Sequence, residues 1–70
     1  MTNSNPIVTR RSKIYRTAVA NLEMASRKWE DAKTMSILLQ SDEAARNLAV
    51  WEANCAKALA HVREIESMMA

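Results

Sequence analysis

The residues able to carry chemistry in this chain are few and scattered. Cys55 is the single cysteine and His61 the single histidine. On a helix at about 100° per residue they would sit about 120° apart. That is off the i, i+3 or i+4 spacing at which two helical side chains share a metal ion. No metal site and no cofactor are expected. Glu30 and Asp31 are adjacent in the chain, so on a helix they do not face each other as a catalytic carboxylate pair would. Glu64 lies three residues after His61 and can orient or charge the imidazole, but no nucleophile accompanies them. A phosphate-cradling loop needs glycine, and the chain has none. No catalytic residue is assigned, and the chain reads as something other than an enzyme.

What these residues are mounted on is clearer. The chain has 70 residues, no glycine and one proline, Pro6, while alanine supplies twelve positions. From Ile7 onward no helix breaker occurs, and good helix formers dominate. No run alternates with period two, so strands are not expected. A lone cysteine permits no internal disulfide. No apolar stretch approaches the roughly 18 residues of a membrane span. No secretory signal is readable in the opening residues. Cytosol is therefore the expected compartment. A single domain this small buries little of its surface, so association with another chain is the expected source of added stability.

Apolar or small residues recur in steps of three and four along two seams. The first runs through Tyr15, Ala18, Leu22, Ala25, Trp29, Ala32, Ser36 and Leu39. The second runs through Ala44, Leu48, Trp51, Cys55, Ala58, Val62, Ile65 and Met69. Each is a heptad stripe of the kind that packs one helix on another. Between them, Ser41 is a good N-cap, and Asp42 and Glu43 place negative charge in the following first turn. The step of five from Leu39 to Ala44 breaks the heptad phase at the same place, which argues against one continuous helix. The expected fold is therefore all-α: two long antiparallel helices in one hairpin, spanning residues 9–40 and 42–69 and turning at Gln40-Ser41. Residues 1–8 are expected as a flexible lead-in. Helix one is expected to start between Pro6 and Ser12, with Asn5 able to cap and Pro6 at the first helical position.

Antiparallel neighbours have a nearly constant sum of residue numbers. Pairing Leu39 with Ala44, Ser36 with Leu48, Ala32 with Trp51 and Trp29 with Cys55 gives sums of 83 or 84. Continuing with Ala25 and Ala58, Leu22 and Val62, Ala18 and Ile65, and Tyr15 and Met69 keeps the same sums. Large residues repeatedly meet small ones, which fills space without voids. In this register Cys55, opposite Trp29, is expected to be a buried and inert thiol.

Ala20, Met24, Met35, Leu38, Val50 and Met68 fall off the seams, as does Ile37. Isolated exposed apolar residues are ordinary, but methionine adapts to irregular partners and the hairpin lacks core, so these residues form the expected partner-binding face. Ala45, Ala49, Ala53, Ala56 and Ala60 share another face of helix two, either a smooth track for a neighbouring helix or solvent-facing helix formers. Arg10, Arg11, Lys13 and Arg16 precede the first acidic residue, Glu23. The first 22 residues thus carry +4 and the remainder −2, within the total of +2. Such an arm is either a solvated helix start or a surface for phosphate or acidic protein.

The stretch from Leu22 to Lys28, the polar turn at Gln40–Asp42, and Val50-Trp51-Glu52 followed by Lys57-Ala58-Leu59 resemble the small E-type co-chaperones of type III secretion needle subunits. The resemblance covers roughly residues 17–69, through motifs that are mostly those of amphipathic helices. The chain departs from that family's pattern in having no glycine near the turn and a longer basic lead-in. The resemblance implies a hairpin that pairs with a helical-repeat chaperone and keeps a needle subunit soluble before export. Two alternatives remain. One is a homodimeric four-helix-bundle regulator whose basic arm binds RNA or DNA, and the other is a phage-type inhibitor docking on a host protein.

Overall fold

The computed structural model describes residues 9–69. It contains two helices, α1 over Lys13–Leu39 and α2 over Asp42–Ser67, linked by Gln40 and Ser41 alone. A two-residue link leaves no room for a crossover, so the helices run antiparallel as a hairpin.

α1 begins at Lys13, later than the expected residue 9, and the reason lies in the side chains just before it. The Ser12 hydroxyl accepts a hydrogen bond from the Thr9 N–H at 2.9 Å, and the Ser12 N–H donates to the Thr9 carbonyl at 3.0 Å. The Arg11 N–H donates to the Thr9 hydroxyl at 3.2 Å. Ser and Thr hydroxyls here satisfy backbone groups locally, which competes with helix. Thr9–Ser12 is therefore a turn that carries Arg10 and Arg11 outside the helix. Ser12 occupies the cap position without making a side-chain cap bond. The expected cap at Asn5 and Pro6 and the lead-in 1–8 lie outside the described residues.

At the other end of α1, Gln40 adopts a left-handed backbone, φ 48° and ψ 41°, and donates its N–H to the Ser36 carbonyl at 3.0 Å. Glycine normally takes this position because a Cβ is crowded there. Replacing Gln40 with Gly is expected to stabilise the hairpin by about 0.5–1 kcal/mol, visible as a raised melting temperature in circular dichroism. A lowered melting temperature would contradict the left-handed link. Ser41 follows in an extended conformation, and its hydroxyl accepts from the Ala44 N–H at 3.1 Å, as the sequence predicts. Asp42 and Glu43 occupy the first turn of α2. α2 ends at Ser67, two residues short of the expected 69. There the Met68 and Met69 N–H groups donate to Ile65 and Glu66 in the tighter pattern of a closing turn.

Every buried residue is a seam residue: Ala18, Ala25, Ala32, Ala44, Val62 and Ile65. Ala18, Val62 and Ile65 form the core cluster near the open end, with Tyr15, Val19 and Leu22 packed on it, which agrees with the predicted register. The Tyr15 hydroxyl donates to Glu66 across the helices at 3.2 Å. Leu39 departs from expectation: it is 58% exposed, although its predicted neighbour Ala44 is buried. Leu39 is the last residue of α1, and no further helical turn stands over it.

Candidate protein-docking surface

Among the described residues, four of the six that are buried are alanines, and Ile65 is the one large side chain fully enclosed. Nine large apolar side chains among the described residues are exposed: Ile14, Met24, Met35, Ile37, Leu38, Leu39, Val50, Leu59 and Met68. Two helices present only one stripe each to one another, so the hairpin keeps two long flanks open.

The first flank carries most of the expected face. On α1, Met24, Met35 and Leu38 lie about 80–130° round from the local seam, at about 100° per residue, and Ile14 falls on the same side. Val50 and Met68 lie on the matching side of α2, and all of these side chains are exposed. Ala20 does not join them. It is exposed but faces almost directly away from α2. Ile37 falls on the opposite flank. The notch at the turn end of the first flank is lined by Met35, Leu39, Ala44 and Asn47.

The second flank holds an open groove lined by Trp29, Glu52, Cys55, Ala56 and Leu59. Cys55 is half-buried here, which corrects the expectation of a fully buried thiol. The residue lines the groove, and its sulfur lies 3.6 Å from the Ser26 hydroxyl. The correction follows from geometry, since a two-helix layer covers a seam residue from only one side. Lys33 Nζ stands 4.2 Å from the Trp29 ring centroid and 2.9 Å from Glu30 Oε1, fixing the indole between a cation and the seam. The Trp29 Nε1–H is buried without an acceptor. Lys33 escaped the sequence reading, although its i+4 spacing from Trp29 is a usable signal. Of the alanine face, Ala45, Ala49, Ala53 and Ala60 are open to solvent and Ala56 borders the groove.

The described titratable groups are spread along the surface. His61 Nδ1 lies 3.8 Å from Glu64 Oε1, both exposed on α2, and no nucleophile is paired with them. Glu30 is engaged with Lys33. Arg10, Arg11, Lys13 and Arg16 are all exposed, the first two on the turn and the others on the first turns of α1. Among the described residues, no three His, Cys, Asp or Glu side chains converge as a metal site would require. No helix among them is long and apolar enough to cross a membrane. The surface does offer apolar side chains exposed along both helices.

No protein-family model, no curated protein and no solved structure matches this chain.

Proposed function

We propose that this chain is a protein-binding helical hairpin that completes its core against a partner, through the flank bearing Met24, Met35, Leu38, Val50 and Met68. The observation that carries the reading is how little large apolar area the hairpin encloses: beside four alanines only Val62 and Ile65 are buried, while Met24, Met35, Leu38, Val50 and Met68 are exposed. An apolar stripe on a helix gains little in water until another surface covers it, at roughly 25 cal/mol per Å² buried. Helix-in-groove recognition uses this geometry, and flexible methionines accommodate the partner's contours. In its specific form the partner is a helical-repeat chaperone, and the pair holds a type III secretion needle subunit soluble before export. The size, the hairpin and the motifs at Leu22–Lys28 and Val50–Leu59 support that form.

The test is the double substitution Met24→Asp and Met35→Asp. It places two charges on the flank without touching the seam. Helicity is expected to remain, and co-purification of the partner from the native host to be lost. A double variant that still brings down the same partner would exclude this flank as the interface.

A further inference from the structure

The open flank of α1 carries a pattern that is its own complement. Met24, Lys28, Asp31 and Met35 follow one another at steps of four, three and four, so they form one strip along the helix. Read in the opposite direction, the strip becomes methionine, aspartate, lysine, methionine. A second α1 laid antiparallel over the first would set Lys28 against Asp31 and Asp31 against Lys28. Met24 would meet Met35 twice, and Asn21 would meet Leu38 twice. This is the condition for an isologous two-fold interface, in which residue i meets j and j meets i. Both charges are available for it. Among the described residues the ion pairs are Lys33 with Glu30 and His61 with Glu64, and neither Lys28 nor Asp31 takes part.

We propose that this flank binds a second copy of the chain, giving an antiparallel four-helix bundle with its two-fold axis between Lys28 and Asp31 of α1. The inference rests on the reading of the methionine flank as an interface and sets a second copy of the chain there in place of the helical-repeat chaperone. In the hairpin register, Asn54 of α2 stands at the same height and on the same flank, so the axis brings it against its own copy. Asn54 is half-buried, and a primary amide can both donate to and accept from its twin. Further along α2, Asn47 would lie beside His61 of the second copy and Val50 beside the Lys57 stem. Glu43 and Glu64 approach each other at the rims, where solvent screens the repulsion.

Size agrees as well. α1 has 27 residues. A face about 40 Å long and about 20 Å across two helices offers roughly 800 Å² per partner, the extent of a standard stable interface. The charge distribution along the hairpin favours the antiparallel arrangement. Arg10, Arg11, Lys13 and Arg16 sit at the open end, and Asp42 and Glu43 sit at the turn. Each basic end therefore lies toward the acidic end of the other copy.

Sedimentation equilibrium of the full chain is expected to give twice its 7.9 kDa. Lys28→Glu makes the axis wholly acidic, and Asp31→Lys makes it wholly basic. Each substitution is expected to weaken self-association at least about tenfold at low salt, the scale of a like-charge contact across an interface. Both positions are exposed, so circular dichroism should show unchanged helicity. Mixing the two variants in equal amounts restores every opposite-charge contact, and a mixed dimer is expected to form. A wild-type chain that sediments as a monomer at every reachable concentration overturns the proposal. So do single variants whose dimers dissociate no more readily than that of the wild type, or a mixture that associates no more tightly than the single variants. If the chain is monomeric yet Met24→Asp with Met35→Asp still loses the co-purifying protein, self-association falls and the docking function stands.

Discussion

Ile65→Ala is expected to leave much of the hairpin unfolded at room temperature. Ile65 is 1% exposed and, among the described residues, is the one large side chain completely enclosed by the two helices. It anchors the cluster with Ala18 and Val62, on which Tyr15, Val19 and Leu22 pack. Truncating a buried isoleucine to alanine costs about 2–5 kcal/mol, from lost transfer energy and the cavity left behind. A domain of this size has about 5 kcal/mol of stability or less to lose. The neighbouring side chains cannot refill the space, because Ala18 is as small as the new residue and Val62 belongs to the same cluster. The measurement is a urea or thermal melt followed by helical circular dichroism. A shift no larger than that of a surface substitution would mean that the core lies elsewhere.

Ala32→Trp tests the register rather than the depth of the core. Ala32 is 3% exposed, and the constant pairing places it opposite Trp51. Two indoles cannot occupy a layer built for one indole and one methyl group. Overpacking of this kind costs about 1–3 kcal/mol or more, since the helices must separate or the side chains leave their rotamers. The expected result is loss of the cooperative melt, or a large drop in its midpoint. An unchanged melting temperature would mean that Ala32 does not face a large side chain and that the register is displaced.

The architecture was legible because its determinants are local and periodic. Steps of three and four specify the stripe, and the capping serine with its two acidic followers marks the turn. The phase break from Leu39 to Ala44 points to the same place. Alternating large and small residues then align the helices, and every buried side chain falls on the predicted seams. The start of α1 was not legible, because the competition between Thr9 and Ser12 hydroxyls and the helical backbone depends on geometry that composition does not encode. The exposure of Leu39 and the partial exposure of Cys55 were also hidden. Periodicity identifies the side of a helix that is apolar but not how much protein lies over it. A seam at the edge of a two-helix layer has less cover than the same seam inside a bundle. At the candidate docking surface, the outward methionines could be picked out from the wheel alone. The Lys28–Asp31 pair between them became meaningful only once the flank was known to be open and both charges unengaged.

The position of the core relative to the turn has a kinetic consequence. The best-packed contacts join Ala18 to Val62 and Ile65 at the open end, far along the chain from Gln40 and Ser41. Most of the apolar side chains beside the link, Ile37, Leu38 and Leu39, face solvent. Zipping outward from the bend is therefore the disfavoured order, because large apolar side chains contribute few of the first contacts formed there. The expected order is that the two helical segments meet at their distant ends before the middle is held. The entropy of closing that long segment grows only slowly with its length, by about 0.6 kcal/mol for each doubling. The transition state for folding would then resemble a wide loop clasped at its mouth by Tyr15, Ala18, Val62 and Ile65, with the bend ordering last.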